Sequence, residues 1–279
     1  MTGSGLISCA LRLVPFSVRS RIKSIPGVAH LQRAIVSSAL NDAEFEHRVD
    51  AGPAKGIKFH LRMPEDKGIW TGTYEIDFAT RLAAAVKPGT VAYDIGSWHG
   101  FFAGVMAAQD AEHVHVFEPL PANAERIRRL IALNPTRSIT LHACAVGERE
   151  SEMDLMIMPE TSMAKLEAST FQAGETSAER VRVKVRSIDT MISAGEIAPP
   201  ALMKIDVEGA EAMVLAGARE TIRTHRPVIF AEVHSTSLLD QCRKLLEADG
   251  YNIEYINVYS TAAHSRDVFQ IKGVPGPSA

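Results

Sequence analysis

From Val91 to Lys272 the chain alternates short apolar runs with longer stretches whose apolar positions fall three and four residues apart. That is the pattern of strands joined by helical crossovers, and it predicts an α/β fold around a parallel sheet. The apolar runs give strands at Val91–Asp94, His113–Glu118, Ile139–Ala145, Ala201–Val207, Pro227–His234 and Asn252–Tyr259, with an edge strand at Asp267–Lys272. Helices are expected at Gly100–Gln109, Pro121–Leu133, Ile188–Ala194, Glu208–Thr224 with a kink near Gly217, and Leu238–Ala248. Glu152–Met158 and Val181–Val185 alternate in strand fashion around a polar stretch that reads as a loop. Ahead of this series, Gly56–Leu61 is strand-like, Pro64–Thr73 reads as a polar loop carrying Trp70, and Tyr74–Ala85 reads as a helix stopped by Pro88 and Gly89. Residues 1–50 read as an N-terminal arm with helical stretches at Leu6–Arg12 and Val28–Leu40, and residues 51–279 as the domain proper.

Composition adds charge to this outline. With 279 residues, 46% of them hydrophobic, the chain can bury one full core. A net charge of -3 speaks against a broad nucleic-acid surface. The charge is uneven: up to Asn41 the basic residues Arg12, Arg19, Arg21, Lys23 and Arg33 face no acid, which leaves the body acidic. The arm is expected to pack over the domain; its apolar and basic residues, over 1–41, also offer a peripheral contact with anionic lipid. No apolar run approaches the roughly 20 residues of a membrane span. Cys9, Cys144 and Cys242 are odd in number and widely spaced, which suits free thiols in a reducing cytoplasm, with no disulfide and no zinc.

Two strands end on carboxylates. Val91-Ala92-Tyr93-Asp94 is followed by Ile95-Gly96-Ser97-Trp98-His99-Gly100, and the next strand ends on Glu118. In an open parallel sheet ligands bind beyond the carboxyl ends of the strands, so Asp94 and Glu118 are expected to face one nucleoside-like ligand. A dinucleotide site wants glycines against a pyrophosphate. Here an acid stands at the strand tip, where it would repel phosphate and favour a cation. S-adenosylmethionine carries an ammonium and a sulfonium, and Glu118 would accept both ribose hydroxyls.

A second constellation, Lys204-Ile205-Asp206-Val207-Glu208-Gly209-Ala210-Glu211, places Asp206 across the same crevice. Glu208 and Glu211 fall on the expected first helical turn, with Lys204 as a partner for either. At the next strand end, alternation puts Glu232 and His234 on one face, toward Asp206. Asp206, His234 and Glu208 are the acid–base candidates for a hydroxyl acceptor. Asp206, Glu232 and His234 are also donors for a divalent cation, but such groups are common at strand and helix ends without one, and no metal is assigned.

These segments, with Ala143-Cys144-Ala145-Val146-Gly147, Ser187-Ile188-Asp189, Val214-Leu215-Ala216-Gly217-Ala218 and Ala231-Glu232-Val233-His234, resemble the FkbM family of class I S-adenosylmethionine-dependent methyltransferases. The resemblance covers roughly Gly72 to Tyr255. It implies a Rossmann-like seven-stranded, mostly parallel sheet with helices on both faces and an antiparallel last strand. It implies O-methylation of a glycan, glycolipid sugar or natural product. Carried over by position, Asp94, Gly96, Ser97 and Gly100 would hold the methionine end, Glu118 and Pro119 the ribose, and Cys144 and Ala145 the adenine. Glu75 would reach the cofactor, and Asp206 would sit beside the reacting methyl. The chain departs from the family at Trp98 and His99, where a small polar residue and an aliphatic are usual. The readings that remain beside it are an NAD- or nucleotide-sugar-dependent oxidoreductase and a non-catalytic binding module.

Overall fold

The computed structural model describes residues 43–157, 164–166, 179–261 and 266–277. The two expected arm helices, Cys9, and most of the polar stretch between Met158 and Val181 lie outside the described residues. The central sheet has seven strands: β3 (Val91–Ile95), β4 (His113–Phe117), β5 (Ile139–His142), β10 (Leu202–Ile205), β11 (Val228–Val233), β12 (Tyr251–Thr261) and β13 (Arg266–Pro275). Their order is β12-β13-β11-β10-β3-β4-β5. β13 runs antiparallel to both its neighbours, as the resemblance implies. The order reverses between β3 and β10, whose registers pair Lys204 with Asp94 and Ile205 with Ile95.

Alternation along the strands sends residues to two cores. Ala92, Val114, Leu202 and Phe230 face a layer containing α2 (Ile76–Ala85), α3 (Phe101–Ala108) and α4 (Pro121–Leu133). Tyr93, Met203, Ile229 and Val233 face α5 (Ile188–Ser193), α6 (Glu211–Gly217), α7 (Arg219–His225) and α8 (Thr236–Ala248). Helix α3 buries seven of its eight residues, so it needs cover on its outer side as well. That cover includes β1 (Glu44–Arg48) and β2 (Lys58–Arg62), an antiparallel pair whose Phe59 ring lies 6.2 Å from Phe101. Residues 44–48, read from sequence as part of a helical arm, are therefore a strand held against the domain.

Four other expectations shift. Pro64–Thr73 contains the short helix α1 (Lys67–Thr71). The strand expected over Ile139–Ala145 breaks, and its second half, β6 (Ala145–Val146), enters a separate four-stranded sheet with β7 (Ser151–Ile157), β8 (Ala164–Leu166) and β9 (Glu179–Arg186). Glu208 and Gly209 have positive φ, 53° and 102°, so the helix starts only at Glu211. The expected kink near Gly217 is a break between α6 and α7. A Cβ on Gly217 would stand 2.0 Å from the Gly147 carbonyl oxygen, and Ser187 Oγ donates to the Gly217 carbonyl at 2.9 Å.

This backbone contact fixes the two sheets against each other. Gly217→Ala is expected to cost about 1–3 kcal/mol through overpacking. Calorimetry should show a melting temperature several degrees lower; an unchanged melt would mean that the contact is not maintained.

Candidate active site

The turn after β3 is shaped by three positive φ angles, at Gly96 (73°), Trp98 (52°) and Gly100 (86°). Gly96 is required by its neighbour, since a Cβ there would stand 1.7 Å from the Asp206 carbonyl oxygen. Asp94 is fully buried. Its Oδ2 accepts from Ser97 Oγ at 2.6 Å and from the Ala103 backbone N–H at 2.9 Å, tying the turn to the start of α3. Its Oδ1 lies 3.5 Å from Lys204 Nζ. Lys204 donates to the Gly96 carbonyl at 2.9 Å and to Asp206 Oδ2 at 3.3 Å, and lies over the Phe102 ring. The expected Lys204 partners, Glu208 and Glu211, are thus replaced by Asp94 and Asp206. Burial opposes the charge on Lys204, and Asp206 and Asp94 outweigh it, so its pKa is raised.

Beyond the turn lies a cavity of about 300 Å³. Gly96, Trp98, Glu118, Pro119, Cys144 and Ala145 line it, with Asn123 and Leu155. Asp94, Ser97 and Gly100 stand behind that wall; the Cβ position of Gly100 meets Leu130 and Ile127 of α4. Glu118 is held by the backbone N–H groups of Trp98 and Leu120, both at 2.9 Å, and by Asn123 Nδ2 at 3.4 Å. Burial pushes its carboxyl up to about 7.

The opposite end is acidic. Glu75, Asp206, Glu208 and Glu232 line it. Burial raises Glu75 and Glu208 to about 7 and raises Asp206. His234 lies behind the wall, 3% exposed. Its Nε2 faces Asp206 Oδ1 at 3.7 Å, Glu208 Oε2 at 3.3 Å and Glu232 Oε1 at 3.6 Å. Its Nδ1–H donates to Glu211 Oε1 at 2.8 Å. Burial works against its charge, but Glu208 and Glu211 hold its pKa well above the usual imidazole value.

Two features escaped the sequence. Gln270 on β13 donates from Nε2 to Glu75 Oε2 at 2.9 Å and Glu232 Oε2 at 2.8 Å, bridging segments far apart in the chain. The signal was there: an amide between Phe269 and Ile271 in an apolar strand. Trp98 and His99 stack at 3.6 Å, with Arg126 over the indole and His99 Nε2 3.5 Å from buried Asp66. The family departure at these positions fastens the turn to α4 and to the segment before α1.

Asp94→Ala is expected to destabilise the protein by about 3–5 kcal/mol, because it leaves the buried ammonium without one of its two carboxylates. Chemical denaturation should show partial recovery when Lys204→Met is added; no recovery would dissociate the loss from the ion pair.

Over residues 91–253 the sequence matches the family described as the methyltransferase FkbM domain. The chain is 28% identical to 31-O-demethyl-FK506 methyltransferase FkbM of Streptomyces tacrolimicus over 224 residues, spanning 70% of this chain and 85% of that protein. It is 27% identical to hexuronic acid methyltransferase AglP of Haloferax volcanii over 161 residues, spanning 58% of this chain and 63% of that protein. Among solved structures, methyltransferase FkbM of Methylobacillus flagellatus KT aligns with a TM-score of 0.46 at 18% identity, covering 88% of this chain and 60% of that one. The domain match spans more than half of the sequence and agrees with the motifs that suggested it: the chain belongs to the FkbM methyltransferase family.

Proposed function

We propose that the protein is an S-adenosylmethionine-dependent O-methyltransferase acting on a hydroxyl of a glycan, glycolipid sugar or natural product. The observation that carries this reading is one cavity with Glu118 at one end and Glu75, Asp206, Glu208 and Glu232 at the other. S-adenosylmethionine has vicinal ribose hydroxyls at its nucleoside end and, at its methionine end, a sulfonium, an ammonium and one carboxylate, a net positive charge. Glu118 would accept the ribose hydroxyls, Cys144, Ala145 and Leu155 would flank the adenine, and the acidic end would receive the sulfonium and ammonium. The same charges oppose a dinucleotide. A phosphate about 4 Å from one of these carboxylates is repelled by on the order of 4 kcal/mol at an effective dielectric of about 20.

In the transfer, the acceptor oxygen forms its bond to the methyl carbon as the carbon–sulfur bond breaks, and the electron pair leaves with sulfur. The protein's part is to align donor and acceptor and to take the hydroxyl proton. Asp206 and Glu208 line the cavity and are assigned the proton; His234, behind them, organises their carboxylates. The names of the two relatives supply the acceptors to screen first, 31-O-demethyl-FK506 and a hexuronic acid.

Calorimetric titration with S-adenosylhomocysteine tests the cofactor. The wild type is expected to bind, and Glu118→Gln to bind roughly 10–100-fold more weakly for the loss of charged hydrogen bonds worth about 1.5–3 kcal/mol. Glu118 faces the Trp98 and Leu120 N–H groups, Asn123 and, at longer range, Lys204. With burial raising its carboxyl to about 7, it is ionised above that pH and protonated below it. Affinity should therefore rise with pH through 7, less steeply in Glu118→Gln. Absent binding by the wild type would exclude the cofactor.

Glu208→Gln, assayed by radiolabelled methyl transfer to the acceptor panel, is expected to lower turnover by roughly 10²–10⁴-fold while cofactor affinity stays within a few-fold. Full turnover would remove Glu208 as proton acceptor.

A further inference from the structure

Three side chains at the acidic end share one arrangement: each has one polar atom held by a neighbour outside the trio, and their other donor atoms lie close together, where His234 also hydrogen-bonds Glu232 and faces Glu208. Asp206 Oδ2 is held by Lys204 at 3.3 Å, Glu232 Oε2 by Gln270 at 2.8 Å, and His234 Nδ1 by Glu211 at 2.8 Å. Glu211 is itself fully buried, and its Oε1 also accepts the Gly209 backbone N–H at 2.9 Å. The trio's donor atoms converge: Nε2 of His234 lies 3.7 Å from Asp206 Oδ1 and 3.6 Å from Glu232 Oε1, and one donor atom from each residue lies within 4.8 Å of the others.

We propose that Asp206, Glu232 and His234 bind a divalent first-row transition ion, with an open position toward the cavity. Donors at about 2.1 Å from such an ion stand about 3.4 Å apart on a tetrahedron and about 3.0 Å apart on an octahedron. The observed nitrogen–oxygen spacings are within a few tenths of an ångström of the tetrahedral edge. One imidazole nitrogen with two carboxylates suits zinc, manganese, iron or cobalt; magnesium and calcium prefer all-oxygen sets. A ligating histidine typically donates its other N–H to a carboxylate, which fixes the tautomer and strengthens the ligand, and Glu211 stands in that position. The charge balance agrees, since Asp206, Glu208, Glu211 and Glu232 surround two cations, Lys204 and the imidazolium. An ion that displaces the Nε2 proton brings the cluster nearer neutrality.

Metal binding stands on this geometry alone. Its role in transfer rests on the O-methyltransferase reading: with Asp206 engaged as a ligand, an acceptor hydroxyl at the open position would be acidified and pass its proton to Glu208 alone, whose Oε2 lies 3.3 Å from Nε2.

The test uses full-length protein freed of metal by chelator and dialysis, titrated with Mn²⁺ and separately with Zn²⁺ in the absence of cofactor. One ion per chain is expected, and affinity should fall at least about tenfold in Glu232→Gln and in His234→Gln, and about 10–100-fold in Gln270→Met. Electron spin-echo spectroscopy of the Mn²⁺-loaded wild type should show coupling to one imidazole nitrogen, a readout that survives if a variant fails to fold. No ion bound at millimolar concentration, unchanged affinity in folded Glu232→Gln and His234→Gln, or a Mn²⁺ signal without nitrogen coupling would each overturn the site. Titration of the same samples with S-adenosylhomocysteine separates the two ideas: cofactor binding without an ion overturns the metal alone, and an ion bound without cofactor upholds the metal while removing the methyl-donor reading.

Discussion

The ammonium of Lys204 sits at the seam of β3 and β10, 3.5 Å from Asp94, 3.3 Å from Asp206 and 2.9 Å from the Gly96 carbonyl. Taking such a charge out of water costs several kcal/mol unless its partners are held in place. Those partners come from the two strand ends on either side of the seam, β3 with its glycine turn and β10. Asp94 turns inward to meet the ammonium and uses its other oxygen to staple the glycine turn to α3. Asp206 is drawn to the strand end from the opposite side, and its backbone carbonyl presses on Gly96 so closely that no side chain fits there. The glycine turn and the Asp206 carboxylate are therefore positioned by one cation.

The sequence carried the strand ends well because they depend on local pattern. Apolar runs ending on Asp94, Glu118, Asp206 and His234 read as strands because each is buried on both faces, and parallel crossovers leave few topologies. Depth was not legible. Alternation places Asp94 on a face, but only the packed structure shows that its carboxylate points back into the core toward Lys204. Nor does a period of two say which sheet a strand joins, so the break between β5 and β6 and the independent sheet containing β7 and β9 were invisible. Gln270 depends on contacts with residues 38 and 195 positions away in the chain, beyond any local rule. Glu208 read as helical because acids favour a first turn, yet Gly209 beside it permits a left-handed excursion that aims the carboxylate into the cavity wall.

The charges are distributed with the same logic. The Glu118 end has one carboxylate, oriented by two backbone N–H donors and an amide. The far end has four on its wall, with Lys204 and His234 behind them. The cavity is therefore electrostatically polar, with the greater negative charge at the end lined by Glu75, Asp206, Glu208 and Glu232. Trp98 and His99 add rigidity at the hinge between the ends, because their stack is clamped by Arg126 and Asp66 on the outer side.

The chain leaves the central sheet after His142, and the second sheet opens on Ala145–Val146 and closes at Arg186. These points are neighbours: Ala145 pairs with Val185, Val146 with Arg186, and the Gly147 N–H donates to the Arg186 carbonyl at 2.9 Å. An excursion whose two feet are hydrogen-bonded to each other is a cassette. Its length and sequence can change, or be exchanged for the equivalent segment of a relative, while the ammonium-centred seam and both ends of the cavity keep their coordinates. Leu155 carries the cassette to the cavity wall, so diversification of the excursion reshapes that part of the wall without redesigning the centre.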